Sequence, residues 1–321
     1  MTPTDGAPEA SDATGKLPDA VIIGAAKSAT TSVFHRLIRH PQIFQGPAED
    51  VDGVPVTLSK DKELCFFSDD PIYAKGMSWY RSHFAAAEPG QLCMEASTNY
   101  TRWPQLPDTA ERMAKHVPDA RLIYIVRHPV DRAYSHYVHR YTRELHPGQP
   151  ILSSFEEHIK IDPMCIDSSL YMQQLERFLE YYPRSAIHVF LTSDLKREPE
   201  VTMRELCRFL DIDPDGIQLD TQTVRQSNNA AAILEGKTRG AITAPFSRMP
   251  VIGPLARRLP KSWKDKVYNL LKRTKHGRTT SQSLTPPPMS PEARAKFLRF
   301  FEAPNRELAQ FLGRDLSEWS K

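Results

Sequence analysis

Two segments of the chain combine an apolar run with cationic and hydroxyl side chains that could bind phosphate groups. The first, residues 20–32, places Lys27 and a cluster of hydroxyl groups after an apolar stretch. The second, residues 122–137, places Arg127 and then Ser135 after another apolar stretch. An ammonium attracts phosphate oxygens by its charge, and a guanidinium can also bind them with paired hydrogen bonds. Together the two segments predict a protein that binds a nucleotide with phosphates at both ends.

The first segment has the features of an anion-binding turn between a strand and a helix. Val21 to Ile23 are apolar and β-branched, as in a buried parallel strand, and Gly24 permits a tight bend. We expect a helix to begin at Thr30, where unpaired N–H groups would attract phosphate or sulfate. The residues expected to bind the anion are Lys27, Ser28, Ala29, Thr30, Thr31 and Ser32. Taken alone, the segment fits an ordinary strand–turn–helix unit with a solvated lysine equally well.

This turn departs from the phosphate-binding loop of ATP- and GTP-binding proteins, G-x-x-x-x-G-K-[ST]. Lys27 follows Gly24 by only three residues, and no second glycine lies between them. Such a turn can hold a phosphosulfate instead of a triphosphate. A P-loop-type kinase of a nucleotide or small molecule, which would require ATP and Mg²⁺, stays open as an alternative function.

The second segment indicates where the other phosphate would bind. Residues 121–126 form a second apolar run, and Arg127 follows at its C-terminal end. Ligands of open α/β sheets bind at the C-terminal ends of the strands, so Arg127 is suited to a terminal phosphate. We expect a helix over residues 131–141, in which Ser135 and His139 lie four residues apart on one face.

These two segments resemble the cofactor-binding elements of sulfotransferases that use 3′-phosphoadenosine 5′-phosphosulfate (PAPS). Residues 27–32 are similar to the 5′-phosphosulfate loop of that family, and residues 127–135 are similar to its 3′-phosphate element. The resemblance is strongest to the heparan sulfate N- and 3-O-sulfotransferase branch and its bacterial relatives, and it runs from about residue 19 to residue 319. It implies PAPS as the donor, 3′-phosphoadenosine 5′-phosphate (PAP) as the product, and no metal.

The resemblance also assigns catalytic roles. Residues 62–67 resemble the family's element that carries the catalytic base, which implies that Glu63 is the base. Lys27 would stabilise the leaving phosphate, and His139 would orient the acceptor or assist proton transfer. The residues implied at the acceptor are Lys62, Phe66, Ser97 and His139. From the residues alone, Glu63 also fits a surface acid beside lysines, and His139 also fits a helix-surface histidine.

Two later elements add residues to the implied cofactor site. Tyr171, at the start of an apolar helix, belongs to a stretch that resembles the region near the adenine. Residues 275–278 resemble a late loop that closes over the 3′-phosphate. That loop contributes Lys275, Gly277 and Arg278.

The elements that must position these side chains alternate between strands and helices. We expect apolar strands at residues 20–24, 92–95, 121–126 and 186–191, and helices at residues 170–182, 201–210 and 291–312. This alternation is typical of an α/β fold with a parallel sheet. The resemblance implies a P-loop-kinase-like three-layer α/β/α arrangement with a central, mostly parallel sheet. The core residues expected in the last helix are Phe297, Phe300, Phe301, Leu308 and Phe311.

Composition indicates one large domain. A chain of 321 residues with 40% hydrophobic content can bury a sizeable core. We expect a disordered tail over residues 1–18 and a sulfotransferase domain over residues 19–321. The 4 cysteines form no CxxC pair and no metal-ligand spacing, which favours reduced thiols. No apolar run has the length of a membrane span, and the first residues lack the apolar core of a signal peptide, so we expect a cytoplasmic protein.

The positive charge is concentrated in residues 236–280, which hold twelve Lys or Arg and one acid, Asp265, in a chain of net charge +3. Three interpretations fit this basic insertion: a lid that guides an anionic donor or acceptor, a segment that rests on a membrane surface, and a solvated insertion. A non-catalytic protein that binds nucleic acid or a membrane here would leave Lys27, Glu63 and Arg127 without a joint explanation. The segment also lacks interleaved aromatics for stacking on bases, so we expect no nucleic acid. We expect the acceptor to be a saccharide or a glycosylated or small natural product.

Overall fold

The structure is a computed structural model. It describes residues 15–44, 63–144, 154–217, 230–247 and 260–321. Two predictions therefore concern positions outside the described residues: disorder over residues 1–14 and the acceptor contact of Lys62.

Residues 15–18, the end of the predicted tail, lie against the domain. Arg81 donates a hydrogen bond to the Gly15 carbonyl at 2.9 Å, and Lys16 donates to the Glu88 carbonyl at 2.8 Å. Leu17 packs against the main core. The domain therefore begins before residue 19, and the predicted boundary was wrong for these residues.

The described residues form a parallel sheet with strand order β2-β1-β3-β4. The strands are β1 (Ala20–Gly24), β2 (Met94–Ala96), β3 (Arg121–Val126) and β4 (Ile187–Leu191). The predicted strands are confirmed, although the second is Met94–Ala96 instead of residues 92–95 and the fourth begins at Ile187 instead of residue 186. Since these strands are all parallel, their C-terminal ends lie along one edge of the sheet.

Helices connect and cover these strands. Before β3 they are α1 (Thr30–Leu37), α2 (Asp70–Tyr73), α3 (Gly76–Ser82) and α4 (Thr109–His116). Between β3 and β4 they are α5 (Pro129–Glu144), α6 (Phe155–Ile161), α7 (Met164–Asp167) and α8 (Tyr171–Leu179). After β4 they are α9 (Thr192–Arg197), α10 (Pro199–Leu210), α11 (Ala230–Ser247), α12 (Lys261–Lys272), α13 (Lys275–Leu284) and α14 (Pro291–Leu312).

Successive strand residues point to opposite sides of the sheet, and helices cover both sides. On one face, Val21 and Tyr124 pack with residues of α3, α4, α8 and α14. On the other face, Ile22 and Ile123 pack with residues of α1 and α10. The result is the predicted three-layer α/β/α fold.

Helix α14 has the predicted bounds, and most of its predicted core residues pack inward. Phe297, Phe301 and Leu308 are buried along one stripe of the helix, and Phe311 is half-buried. Phe300 is 50% exposed, contrary to the prediction. Phe300 precedes Phe301 by one residue, so its side chain points about 100° away from that of Phe301 around the helix.

The basic insertion is helical in its described part. Helices α11, α12 and α13 pack on one another and form the basic three-helix unit, and α11 also contacts α5. Residues 275–278, predicted as a loop, are instead the first turn of α13. The Gly277 amide donates to the Thr274 hydroxyl at 3.1 Å, which satisfies one of the N–H groups of that turn. None of the helices in the described ranges is both long and apolar enough to cross a membrane.

Candidate active site

The turn after β1 is fixed by close packing. A Cβ at Gly24 would lie 2.0 Å from the Thr101 hydroxyl oxygen, so a larger residue requires rearrangement. Thr101 donates a hydrogen bond to the Ile23 carbonyl at 3.0 Å. The Ala25 amide donates to the Ile125 carbonyl at 2.8 Å, which keeps the chain beside β3 beyond the end of β1. The turn therefore starts from a well-anchored base.

The backbone of this turn has the shape of an anion-binding concavity. Lys27 and Ala29 have positive φ values of 73° and 63°, with Ser28 between them. Residues other than glycine rarely adopt this conformation, and such outliers cluster at functional sites. Alternation between left-handed and right-handed residues turns successive N–H groups toward one point. Within the turn, the Ser28 amide donates to the Ala25 carbonyl at 3.1 Å, so the N–H groups beyond Ser28 are the ones that can contact a phosphate or a sulfate.

Helix α1 begins at the end of this turn and adds its own N–H groups. Its cap residue, Ala29, has no side-chain oxygen that could accept a hydrogen bond, and the first turn of α1 contains no acid. The N–H groups of a helix start and the helix dipole favour an anionic ligand at this position. The hydroxyl residues of the turn differ in exposure: Ser28 and Thr30 are buried, and Thr31 and Ser32 are half-buried.

Lys27, Arg127 and His139 meet at the C-terminal edge of the sheet. The Lys27 ammonium lies 3.3 Å from Nδ1 of His139, although 112 residues separate them in the chain. An ammonium can only donate, so Nδ1 of His139 is the acceptor in this contact. Arg127 donates to the Lys27 carbonyl at 3.5 Å. The turn, the end of β3 and helix α5 therefore present cations and an imidazole to the same place, and half-buried Ser135 lies one turn before His139 on α5.

Arg132 ties this turn to the helices behind it. Its side chain is fully buried; Nε donates to the Ser169 hydroxyl at 2.6 Å and Nη1 to the Ala26 carbonyl at 3.4 Å. Its Nη2 donates to the Cys165 carbonyl. The sequence interpretation missed this residue. The available signal was its position on α5, three residues before Ser135 and seven before His139, which places all three on one face.

Glu63 is held next to the residues that follow β2. Its carboxylate accepts a hydrogen bond from the Thr98 hydroxyl at 3.1 Å. The Cys65 amide donates to the Ser97 hydroxyl at 2.9 Å, which joins the same two segments. Ser97 is fully buried, so it supports the Glu63 segment, and its predicted contact with an acceptor is not supported.

Phe66 also supports the Glu63 segment from inside the core. Its side chain is fully buried, with its ring stacked on Tyr80 at a centroid distance of 4.5 Å and packed against Tyr73 at 5.3 Å. A side chain in this position has no surface for an acceptor. The predicted acceptor contact of Phe66 is therefore corrected to a packing role.

A buried carboxylate, Glu95, lies on β2 near Glu63. It is 2% exposed, and the Tyr80 hydroxyl donates to its Oε2 at 2.7 Å. Burial raises the pKa of Glu95, and hydrogen bonds from Tyr100 and Tyr80 only partly oppose that rise. Sequence interpretation assigned no role to this residue, because its partner Tyr80 lies on a separate helix, α3.

Tyr171 contacts the main chain of Arg127. Its hydroxyl donates to the Arg127 carbonyl at 2.7 Å, and the side chain is 2% exposed. Burial raises the pKa of Tyr171 to about 12. This geometry makes Tyr171 a positioning residue for Arg127, which differs from the predicted contact with the adenine.

The remaining predicted cofactor residues lie on the basic three-helix unit. Lys275 and Arg278 are exposed on the first turn of α13. Gly277 is buried, and a Cβ there would lie 2.1 Å from the Leu271 carbonyl oxygen, so glycine allows α13 to approach α12. The role of these three residues at the 3′-phosphate stays a prediction.

Three separated residues, His136, Asp162 and Cys165, form a cluster of potential metal ligands, with one ligand atom from each lying within 4.8 Å of the others. Cationic groups surround this cluster. Arg132 Nη1 lies 3.4 Å from Nδ1 of His136, and Arg140 Nε lies 3.3 Å from the Asp162 carboxylate. Burial and then the charge of Arg132 lower the pKa of His136 to about 2. These arginines oppose the binding of a further cation, and the expected absence of a metal stays a prediction.

An anion-binding turn after the first strand and an arginine at the end of the adjacent strand are typical of α/β proteins that bind phosphorylated nucleotides at the edge of a parallel sheet. Comparison with known families shows where this chain belongs among them. The family model described as "Sulfotransferase family" matches residues 18–215, and the chain belongs to this family. The match includes the turn, Glu63 and helix α5, and it ends before the basic three-helix unit.

Curated relatives match a similar share of the chain. Heparan sulfate glucosamine 3-O-sulfotransferase 5 of Mus musculus is 29% identical over 214 residues, which cover 63% of this chain and 56% of the relative. Bifunctional heparan sulfate N-deacetylase/N-sulfotransferase 1 of Caenorhabditis briggsae is 28% identical over 209 residues, which cover 61% of this chain and 23% of the relative. The chain thus spans little more than half the length of the first relative and about a quarter of the second.

The fold is similar to that of a solved structure, a sulfotransferase from Alicyclobacillus acidocaldarius. The TM-score is 0.61 at 22% sequence identity, and the match covers 95% of this chain and 100% of the other. This likeness supports the three-layer α/β fold over nearly the whole chain.

Proposed function

We propose that the protein is a PAPS-dependent sulfotransferase that moves a sulfuryl group to a hydroxyl or amine of an acceptor and releases PAP. The observation that carries the proposal is the convergence of Lys27, Arg127 and His139 at the ends of β1 and β3. The sequence predicted Lys27 and Arg127 as two parts of one nucleotide site, and the resemblance implied the role of His139. Their meeting at one edge of the sheet, beside a turn of anion-binding shape, supports a common role.

Bound PAPS would supply a sulfuryl group on its 5′-phosphate, and the transfer would proceed by in-line displacement. The acceptor oxygen or nitrogen forms a bond to sulfur while the bond between sulfur and the 5′-phosphate oxygen breaks. Lys27 and the N–H groups of the turn stabilise the charge that develops on the leaving phosphate. Arg127 and Ser135 hold the 3′-phosphate and fix the donor in the reactive position.

Glu63 is proposed to accept the proton that the acceptor loses. The Thr98 hydrogen bond fixes its carboxylate, and buried Phe66 fixes the backbone that carries it. A positioned base contributes about 10²–10⁴-fold to such a step. His139, beside Lys27, is proposed to orient the acceptor or assist this transfer.

A saccharide acceptor is supported by the names of the relatives, which refer to heparan sulfate and its glucosamine. A glycosylated or other small natural product stays an alternative acceptor. The cytoplasmic location also stays a prediction. The kinase alternative is not favoured, because the family match and the missing second glycine both count against it.

Donor turnover in the absence of metal tests this proposal. The purified protein is incubated with ³⁵S-labelled PAPS, EDTA and a panel of amino-sugar oligosaccharides, and both labelled product and PAP are measured. We expect transfer that Lys27→Ala removes and that Lys160→Ala, a change at an exposed lysine of α6, leaves intact. Phosphate transfer from ATP with Mg²⁺, or sulfate transfer unaffected by Lys27→Ala, would contradict the proposal.

A further inference from the structure

Helix α12 exposes a stripe of large apolar side chains. Trp263 is 59% exposed, Val267 43% and Leu270 68%. Their spacing of four and then three residues places them on one face of the helix. Contiguous exposed apolar side chains of this kind mark interaction sites more often than scattered ones do.

The opposite face of α12 accounts for its packing in the basic three-helix unit. Tyr268 is 3% exposed, and its hydroxyl donates to the Glu235 carboxylate of α11 at 2.7 Å. Asp265 pairs with Arg239 of α11 at 2.6 Å. The helix is therefore attached through one face, and the apolar stripe faces away from that attachment.

In the three-helix unit the acids lie between the helices, whereas exposed cations lie beside the apolar stripe. In residues 230–247 and 260–284, nine Lys or Arg accompany only two acids, Glu235 and Asp265. Both acids are engaged in the contact between α11 and α12, where Lys272 pairs with Glu235 at 2.9 Å. The exposed cations lie on both sides of the stripe: Lys266 and Arg273 on one side, and Lys264 on the other.

We propose that the outer face of α12 binds the surface of an anionic phospholipid bilayer. Trp263, Val267 and Leu270 would enter the headgroup region, and the flanking cations would contact lipid phosphates. An exposed apolar stripe bordered by Lys and Arg, with a tryptophan among the apolar residues, is the pattern of helices that lie in a membrane interface. This inference does not depend on the proposed function.

Charge and polarity favour a bilayer over other occupants. An anionic polysaccharide would pair with the cations but would leave the apolar stripe in contact with water. A second copy of the chain would cover the stripe but would bring two cationic borders together. An anionic bilayer satisfies both features, since its headgroup region accepts the apolar side chains and its negative surface attracts the basic residues.

Co-sedimentation with vesicles tests the proposal on the full chain. The vesicles contain phosphatidylcholine with either one third phosphatidylglycerol or no anionic lipid. The test variant is Val267→Ser with Leu270→Ser. The matched control is Val201→Ser with Ile161→Ser, because those side chains are similarly exposed, at 49% and 77%, on other helices.

We expect wild type and control to bind the anionic vesicles, to bind the neutral vesicles weakly, and to be released by high salt. The double variant of the stripe should bind about tenfold more weakly, since it loses two apolar side chains from the contact. A second variant, Lys266→Glu with Arg273→Glu, tests the charge border and should lose binding to anionic vesicles. Circular dichroism and urea unfolding confirm that each variant is folded.

Three results would overturn the proposal. The first is equal vesicle binding by wild type and both variants. The second is self-association of the wild type in analytical ultracentrifugation that Val267→Ser with Leu270→Ser abolishes, which would assign the stripe to a second copy. The third is retention by heparin without binding to either vesicle, which would assign the cations to a polysaccharide.

Discussion

The sheet edge around Lys27 and the basic three-helix unit are both cationic, but they hold their cations in different ways. At the sheet edge Arg132 is fully buried and bonded to carbonyl and hydroxyl oxygens from three segments. In the three-helix unit Arg239 and Lys272 are more than a third exposed and pair with carboxylates of neighbouring helices. A buried cation requires fixed partners, whereas an exposed one is stabilised by water. The first region therefore suits a ligand whose phosphates must be held in one geometry, and the second suits an extended charged surface.

The two regions also shift the pKa of a glutamate in opposite directions. Burial raises the pKa of Glu95 near the sheet edge. Hydrogen bonds from Tyr268 and Lys272 lower the pKa of Glu235 in the three-helix unit. The same residue type is thus pushed toward its neutral form in one region and toward its charged form in the other. Net charge in the sequence does not distinguish the two cases, because the pKa shift comes from burial at Glu95 and from hydrogen bonds at Glu235.

The largest expected effect is a loss of turnover, which we expect from a substitution beside the sheet edge and not from one in the three-helix unit. Glu63→Gln should lower turnover of PAPS by about 10²–10⁴-fold, because the amide cannot accept the acceptor's proton. PAP affinity, measured by calorimetry, should change little. The control Glu235→Gln, on the three-helix unit, should keep full turnover. Full activity in Glu63→Gln would remove this residue from the reaction.

The next effect concerns stability and uses one arginine from each region. Arg132→Met should lower the free energy of unfolding by about 3 kcal/mol or more, because it leaves buried oxygens without donors. Arg239→Met should cost less than about 1 kcal/mol, as expected for a partly exposed ion pair. Urea unfolding at neutral pH measures both. Similar losses in the two variants would contradict the assigned difference between the regions.

Alanine substitutions at two glycines are expected to change the stability of the protein in opposite directions. Gly24→Ala should destabilise the protein by about 1–3 kcal/mol, since the new methyl group meets the Thr101 hydroxyl. Gly240→Ala should stabilise it by about 0.5–1 kcal/mol, because Gly240 is exposed within α11 and no atom lies within 4 Å of an added Cβ. Thermal unfolding of both variants gives the two signs directly. A neutral Gly24→Ala variant would show that the turn is not tightly fixed.

The smallest effect is a change in the pH dependence of stability. The folded-state pKa of Glu95 is raised, so its contribution is complete below the ordinary glutamate pKa and is lost as pH rises through the folded-state value. Glu95→Gln should therefore make stability fall less steeply as pH rises above about 4.5. The pKa of Glu235 is lowered, so its small contribution is present above that pH and is lost as pH falls. Glu235→Gln should flatten only the acid side of a urea-unfolding series, and identical pH curves for both variants would contradict this assignment.

The parts of the fold that local patterns encode were predicted well. The strands at residues 20–24 and 121–126 are apolar runs that end at polar turns, and the structure places them side by side. The turn at Lys27 and the helix that carries His139 follow from the same kind of local signal. The long helix α14 was recognisable from its apolar spacing, but the orientation of one residue, Phe300, depended on how the helix packs.

The parts that were missed depend on contacts between distant segments. Arg132 reaches Ala26 and Ser169, which lie 106 and 37 residues away in the chain. Ser97 and Tyr171 were assigned to ligands, but their hydroxyls are engaged with the backbones of Cys65 and Arg127. Nothing in the local sequence distinguishes a hydroxyl that binds a ligand from one that positions a neighbouring loop.

We propose that the edge of the sheet recognises a nucleotide phosphorylated at both its 5′ and 3′ positions. Calorimetric titration of the wild type and Arg127→Ala with PAP and with ADP, without metal, tests it most directly. We expect the wild type to bind PAP more tightly than ADP. Arg127→Ala should lose about 1–3 kcal/mol of PAP affinity with little change for ADP, because a charged hydrogen-bonding partner of the 3′-phosphate is removed. Equal affinity of the wild type for the two nucleotides, or equal losses for both in Arg127→Ala, would contradict it.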